Sequence, residues 1–185
     1  DEIVEAITGD GYSVRRIANI KGRANVYFFD GLRGDLRKAG FAVKSGVLDK
    51  RVPVEYLRAS YSQRLALLQG LMDTDGTVTA QGTCELSLSH EPLAETALEL
   101  IRSLGIKASV TVNDSSYTKI DEETGEKVVV PCKDRHRIRF ATTKPVFRLA
   151  RKLEKLPTEL RETSQWLYIE SIEPVASEPG ACITV

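Results

Sequence analysis

The chain has 185 residues, of which 42% are hydrophobic and 28% charged, so it can bury one or two ordinary cores without a metal or a disulfide framework. Lysine plus arginine and aspartate plus glutamate both total 26, so the net charge neither favours nor excludes a nucleic-acid partner. No apolar run approaches the roughly 20 residues of a membrane span, and the first residues lack a secretory signal, which predicts a cytoplasmic protein without membrane contact.

The first 40 residues predict a helix, two strands and a second helix. The first helix ends near residue 8, and strands follow at 12–17 and 23–29. The second strand alternates an apolar set with a polar set. The apolar set is Ala24, Val26 and Phe28, and the polar set is Arg23, Asn25 and Tyr27. A helix over 31–39 should end at Gly40, and a connector should follow at 41–59.

The clearest local pattern begins at Ser60, which fits a capping box with Gln63 three residues later. Apolar residues then recur at helical spacing, which predicts a helix that ends at Asp75 and Gly76. A strand pair at 77–79 and 84–89 should follow, and then a helix over 92–104 that ends before a glycine.

The sequence after residue 105 predicts two more strands and a closing helix. Alternating strands should lie at 107–112 and 135–140, with the polar stretch 114–127 as a long hairpin tip between them. A helix over 145–156, with proline at its start, should close the unit. The order from residue 60 is thus helix, strand, strand, helix, strand, strand, helix, and the first 40 residues repeat its second half. A further strand at 166–172 should belong to another domain.

The helix after Ser60 carries a narrow seam of small residues. Ala66, Gly70 and Thr74 fall four apart, so they share one face and allow close approach of another helix. Asp73 and Asp75 stand at the helix C-terminus, where the helix dipole makes negative charge least favourable. This arrangement indicates a bound cation, most simply a divalent metal. A polar turn after a core helix is the alternative.

Residues 68–76 resemble the nine-residue motif of the LAGLIDADG family, with departures at Gln69, Met72 and Thr74. The flanking helices and strands also resemble that family's repeated unit over roughly residues 1–156. The resemblance implies an α+β fold of αββαββα units, with antiparallel saddle-shaped sheets and a pseudo-two-fold axis where two motif helices pack. It divides the chain into part of a first unit at 1–49, a linker at 50–59 and a complete second unit at 60–156.

The same resemblance implies a homing endonuclease that cleaves double-stranded DNA at a specific site. Its last motif carboxylate, Asp75, would bind Mg²⁺ beside the carbonyl of Gly76, while Asp73 orients the turn. Oxygen ligands suit Mg²⁺, which stabilises charge on a phosphate and activates water. The family's basic residue near the end of the last strand matches Lys144 loosely, and a solvated lysine at a helix start is the alternative.

Strand parity predicts a DNA-facing surface. The alternation in 135–140 places Arg135, Arg137 and Arg139 on one face, where they could contact phosphates and guanine edges. A charged face that is only solvated is the alternative. The other expected DNA contacts are Arg15, Arg16, Lys21, Arg23, Asn25, Tyr27, Lys107 and Lys119.

The tail, Trp166 to Val175 and then 181–185, resembles the strands before the C-terminal splice junction of inteins found in replicative DNA helicases. This resemblance predicts partial strands of an all-β splicing domain at 165–185, with the remainder of the intein, including the first motif helix, as a partner. Cys84, Cys132 and Cys182 are far apart and are expected as free thiols, without a splicing role for Cys182. His90 and His136 are not spaced as a metal pair.

Two other functions remain open. One is a non-catalytic DNA-binding module or degenerate intein, because the first unit shows no acidic motif and Gly9-Asp10-Gly11 is interpreted as a turn. Nicking of a plasmid with Mg²⁺ would separate an enzyme from this binder. The other is a small α/β scaffold for protein contacts, which strongly salt-dependent DNA binding would exclude.

Overall fold

The computed structural model describes residues 2–17, 25–40, 51–121, 125–162, 166–177 and 180. Its first elements are α1 (Glu2–Gly9), β1 (Val14–Ile17), β2 (Val26–Phe29) and α2 (Leu32–Lys38). The helix, strand, strand, helix order predicted for the first 40 residues is therefore confirmed. β1 and β2 pair antiparallel as a separate sheet, and Gly40 follows α2 with a φ of 81°, the left-handed conformation expected after a helix.

The exposure of β2 does not follow the apolar and polar sets. Of the apolar set, Ala24 lies outside the described residues, and Val26 and Phe28 are 50% and 47% exposed, whereas Tyr27 and Phe29 are half-buried. Sequence alternation shows which side chains share a face, but the elements packed nearby decide which face is covered.

The second group of elements begins at residue 54. They are α3 (Val54–Leu57), α4 (Tyr61–Thr74), β3 (Gly76–Val78), β4 (Thr83–Leu88), α5 (Glu91–Ser103), β5 (Ala108–Asn113), β6 (Ser116–Ile120), β7 (Lys127–Pro131), β8 (Arg135–Ala141) and α6 (Ala150–Leu153). The order predicted from residue 60 is confirmed, apart from the length of the last helix. The short helix α3, which follows Pro53, was not predicted.

Four of these strands form one antiparallel sheet in the order β3-β4-β8-β5. Residues of α4 and α5 join one face of this sheet in a common core. Its fully buried members include Leu68, Met72, Leu86, Leu100, Ile101, Ile138 and Phe147. Burial of a side chain of this size stabilises the fold by about 1.5–3 kcal/mol, so this core fixes α4 against the sheet.

The predicted hairpin tip between β5 and β8 is a β-ribbon. β6 and β7 form a two-stranded antiparallel sheet, from Ser116 opposite Pro131 to Ile120 opposite Lys127. The hairpin is thus confirmed, but both of its ribbon strands were missed: β6 lies inside the stretch predicted as the tip, and β7 (Lys127–Pro131) follows it. The three consecutive valines of β7 do not alternate with polar residues, and alternation is the signal on which strand prediction depends.

The predicted helix over 145–156 is wrong for most of its length, because only Ala150–Leu153 is helical. Val146 and Phe147 are buried in the core in a non-helical segment, and a carboxylate from α4 binds the backbone N–H groups of Arg148 and Leu149. These contacts join residues more than 70 positions apart, so local periodicity does not reveal them.

The predicted strand at 166–172 is also wrong for this chain. Residues 166–177 contain no helix or strand, and Leu167 and Ile172 are 83% and 86% exposed. A strand forms when a neighbour accepts and donates its backbone hydrogen bonds, and none of the described strands pairs with this segment. Cys182 and the rest of 181–185 lie outside the described residues. Within the described part of the chain, no helix combines the length and apolar character needed to cross a bilayer.

Candidate active site

The helix α4 is fixed at its N-terminus by the predicted capping box. The Ser60 side chain accepts a hydrogen bond from the backbone N–H of Gln63, and the Gln63 side chain accepts one from the Ser60 N–H at 3.1 Å. The helix runs to Thr74, and the N–H of Asp75 donates to Leu71 O at 3.0 Å as the C-terminal cap. The motif identified in the sequence therefore occupies the second half of α4 and the turn after it.

Gly76 allows the chain to turn directly from α4 into β3. A Cβ atom at this position would lie 2.7 Å from both the Cα and the carbonyl oxygen of Met72. Since such a separation is well inside van der Waals contact, only glycine permits this close packing. The turn leaves the side chain of Asp75 exposed at the end of α4.

The two motif carboxylates differ in their surroundings. Asp73 is 9% exposed, and its Oδ1 accepts hydrogen bonds from the backbone N–H groups of Arg148 at 3.1 Å and Leu149 at 3.2 Å. Asp73 therefore fixes the segment directly before α6, and not only the turn after α4. Asp75 is exposed, and its side chain has no hydrogen-bond or ion-pair partner in the described ranges. Of the two, only Asp75 is open to a ligand.

Lys152, on α6, was missed by the sequence analysis. This lysine is 8% exposed, and its Nζ donates to Met72 O at 2.8 Å, Asp73 O at 2.8 Å and Gly76 O at 2.7 Å. These carbonyls end α4 and begin β3, so the ammonium neutralises the negative end of the helix dipole. A lysine inside a stretch predicted to be a helix gives no sequence signal for this role.

Several groups act on the charge state of Lys152. Burial lowers the pKa of its ammonium, and Arg151 adds to this effect, while Asp73 and Asp75 act in the opposite direction. A neutral amine has two N–H donors, whereas the three carbonyls need three. The observed geometry therefore describes the charged ammonium.

The metal predicted at this site fits Asp75 but not Gly76. The Asp75 carboxylate is exposed and has the oxygen chemistry that Mg²⁺ prefers. The Gly76 carbonyl oxygen already accepts the hydrogen bond from Lys152, and a dication on the same oxygen would be repelled by the ammonium. The described residues hold no group of three or more histidine, cysteine, aspartate or glutamate side chains that could bind a metal. At the end of α4, the described residues thus offer one open ligand, Asp75.

The small-residue seam lies on the surface of α4. A Cβ atom added to Gly70 would meet nothing within 4 Å, and Gly70 and Thr74 are both exposed. Thr74 Oγ1 donates to Gly70 O at 3.0 Å, so its hydroxyl is satisfied within the helix and does not need water. With Ala66 half-buried on the same face, the seam leaves room for the close approach of a second helix.

The structure does not bring Lys144 to Asp75. The Lys144 Nζ lies 5.5 Å from the centroid of the Tyr61 ring, in a cation–π contact at the first turn of α4. A helix of 14 residues is about 20 Å long, so this ammonium and Asp75 lie toward opposite ends of α4. A catalytic role for Lys144 stays a prediction.

The arginines of β8 share one face of the four-stranded sheet. Their neighbours Ile138 and Phe140 are 0% and 4% exposed in the core, so Arg137 and Arg139 lie on the opposite side. On the neighbouring strand β4, Glu85 lies directly opposite Arg139, and its Oε2 accepts a hydrogen bond from Arg139 Nε at 2.8 Å. Its Oε1 lies 3.1 Å from Arg137 Nε, close enough for an ion pair but without hydrogen-bond alignment.

The two neighbouring arginines keep Glu85 ionised. Burial alone would raise the pKa of Glu85, but the hydrogen bond from Arg139 and the positive charges of Arg137 and Arg139 outweigh it, so the pKa is lowered. Glu85 is therefore a stable carboxylate at neutral pH. The expected alternation of β8 is confirmed, including the exposed Arg135 at its first position.

The other predicted DNA contacts are not gathered on that face. Arg15 forms an ion pair with Asp30 at 3.0 Å, and Lys107 donates to the carbonyl oxygen of Trp166. Arg16 lies in β1, Tyr27 in β2 with Asn25 just before it, and the exposed Lys119 in β6. Lys21 and Arg23 lie outside the described residues. Their roles stay predictions.

Among the described residues, the cysteines and histidines form no metal site. Cys84 is a buried free thiol, as expected, whereas Cys132 is a free thiol that is exposed instead of buried or half-buried. His90 and His136 border one groove together with Cys132, although their sequence spacing gives no hint of this proximity.

Comparison with known proteins places these features in a family. Residues 62–147 match the family described as LAGLIDADG-like domain. The chain is similar to the replicative DNA helicase DnaB of Mycobacterium intracellulare, with 35% identity over 144 residues that cover 76% of this chain and 23% of the helicase. It thus spans less than a quarter of the length of that relative. The matched range contains almost all of the motif helix α4, together with Asp75 and the four-stranded sheet, so residues 62–147 form a LAGLIDADG-like domain.

Proposed function

We propose that this chain supplies one half of the active site of a homing endonuclease that cleaves double-stranded DNA at a specific site. The observation that carries the proposal is the Asp75 carboxylate, which stands exposed and without a partner at the end of the motif helix. The expected cofactor is Mg²⁺. Bound Mg²⁺ would stabilise negative charge on the scissile phosphate and favour ionisation of the attacking water.

The chain's own residues would prepare this half-site. Asp75 presents an oxygen ligand to solvent, and Lys152 holds the carbonyls beneath it in one arrangement through three hydrogen bonds. The open seam on α4 would receive the motif helix of the first unit, supplied by the remainder of the protein. Close packing of the two helices would bring their last acidic residues together at the phosphates of the two strands.

DNA binding is supported by the polar face of the sheet. Arg135, Arg137 and Arg139 lie there on one strand, and the β-strand partners of Arg137 and Arg139 on β5 are Thr111 and Ser109. Guanidinium and hydroxyl groups are donors for phosphates and base edges. The face opposite the core thus presents suitable groups to a DNA groove.

We infer that the endonuclease is carried by an intein, a protein-splicing element. The identity to a replicative DNA helicase over 144 residues supports this inference, as does the resemblance of residues 166–175 to intein strands. The partner of this chain would then be the remainder of the same intein.

The decisive experiment replaces Asp75 with asparagine in the full-length protein. The substitution keeps the shape and removes the charge, so cleavage of a supercoiled plasmid that carries the uninterrupted host gene should be lost with Mg²⁺ present. Specific binding to the same DNA should persist. Asp114→Asn, which changes an exposed aspartate after β5, is the matched control and should cut like the wild type. Normal cutting by Asp75→Asn would reject Asp75 as the metal ligand.

A non-catalytic DNA-binding module is the second candidate. It is favoured by the single open carboxylate and by the Gly76 carbonyl, which is already bonded to Lys152. In this case the wild-type protein would bind DNA with strong salt dependence but would neither nick nor linearise the plasmid at any Mg²⁺ concentration.

A further inference from the structure

The Glu85 cluster has a geometry that simple phosphate binding does not require. Glu85 contacts Arg137 through one carboxylate oxygen and Arg139 through the other, and both contacts use the Nε edge of the guanidinium. The side chain of Glu85 is 24% exposed, while that of Arg139 is 50% exposed. One carboxylate at the sheet surface therefore accepts a hydrogen bond from Arg139 and forms an ion pair with Arg137, while the outer parts of both arginines reach solvent.

The terminal nitrogens of both arginines remain available. In the part of the chain that the structure describes, no acceptor binds the Nη atoms of Arg137 or Arg139. The two Nη groups of an arginine form a planar fork that matches the O6 and N7 acceptors on the major-groove edge of guanine. A phosphate can accept this fork, or a single N–H, from many directions, whereas O6 and N7 of guanine lie in the plane of the base and require the fork to lie in that plane.

The spacing of the two forks also matches DNA. Residues two positions apart on a strand are separated by about 6.6–6.8 Å. Successive bases on one DNA strand rise by about 3.4 Å, so two base steps span about the same distance. A strand that runs along the groove would therefore place Arg137 and Arg139 opposite bases two steps apart.

We propose that Glu85 is a positioning residue that aims Arg137 and Arg139 at two guanines, two base steps apart on one strand of the target. This inference rests on the proposed function and extends it from DNA binding to sequence recognition. Lowering of the Glu85 pKa keeps the carboxylate charged, so the alignment should hold at neutral pH. The contacts with guanine would be specific, and the remaining arginine, Arg135, would contribute charge alone.

The test selects binding sites from a randomised duplex library with the full-length protein. The wild type should enrich sites with guanine at two positions separated by one base pair, with a preference of roughly ten- to hundred-fold at each. Glu85→Gln should lose most of the preference at both positions while overall affinity for random DNA stays equal or rises, because a negative charge is removed. Arg139→Lys should lose the preference at one position only.

A second glutamate–arginine pair, away from the polar face of the sheet, provides the control. Glu99 on α5 also pairs with an arginine, Arg58 at 2.7 Å, but α5 lies on the core side of the sheet, so Glu99→Gln should select the wild-type site. A selected site without this guanine pair would overturn the inference, and so would an unchanged preference in either Glu85→Gln or Arg139→Lys. In each of these cases, Asp75-dependent cleavage would still support the proposed function. The absence of any DNA binding would overturn both.

Discussion

Replacement of Lys152 with methionine tests whether an internal ammonium holds the active-site turn together. Methionine has nearly the same length, so the change removes the three N–H donors and leaves the core packing largely intact. The carbonyl oxygens of Met72, Asp73 and Gly76 then lose their shared donor. A buried carbonyl left without a partner costs about 1–3 kcal/mol.

The low end of that range applies to Lys152. The variant no longer buries a charge, which offsets part of the loss. Lys152 is 8% exposed, so the site is not fully closed to water that could bind the carbonyls in its place. At about 1 kcal/mol for each of the three carbonyls, the free energy of unfolding should fall by about 3 kcal/mol. At about 2–4 °C for each kcal/mol in a chain of this size, the melting temperature should fall by about 6–12 °C.

Thermal and urea unfolding followed by circular dichroism would measure the change. Lys155→Met is the matched control, because Lys155 is exposed one turn later, and its effect should stay within about 0.5 kcal/mol. If Lys152→Met unfolds within about 1 kcal/mol of the wild type, the carbonyls have other partners and Lys152 is not the cap of α4.

Two further changes test the seam and the buried thiol. Gly70→Ala should raise the unfolding free energy of this chain by about 0.5–1 kcal/mol, because alanine favours the helix and its Cβ meets nothing within 4 Å. In the full-length protein the same change should lower DNA cleavage at least ten-fold if a second helix packs on the seam, and unchanged cleavage would contradict that packing. Burial raises the pKa of Cys84 to about 12, so a thiol reagent at pH 8 should not label native protein that carries Cys132→Ser and Cys182→Ser. Labelling should appear only in denaturant, and rapid labelling of the native protein would show that Cys84 is accessible.

The elements predicted well are those specified by neighbouring residues. Ser60 and Gln63 cap α4 from three positions apart, and Gly82, with a φ of 80°, forms the turn that joins β3 to β4. The arginines of β8 alternate with Ile138 and Phe140, so the faces of this strand were correct. In each case the signal and the structure lie within a few residues.

The elements missed depend on contacts between distant parts of the chain. The segment before α6 is not helical because Asp73 binds its N–H groups and Phe147 is buried in the core. Lys152 reaches the end of α4 across 80 positions to Met72. The expected strand at 166–172 does not form, because strand propensity alone cannot supply a hydrogen-bonded neighbour.

The positions of the two motif carboxylates change the physical argument for a metal. Two negative charges at a helix C-terminus predicted a cation, and Lys152 supplies one, within 2.8 Å of the carbonyls there. The electrostatics of the helix end are therefore satisfied without Mg²⁺, and Asp73 is occupied by backbone donors. What still requires an explanation is Asp75, a carboxylate left exposed and without a partner beside the open seam on α4. The case for a metal thus depends on the availability of Asp75 and on the second acidic residue that helix packing would bring beside it.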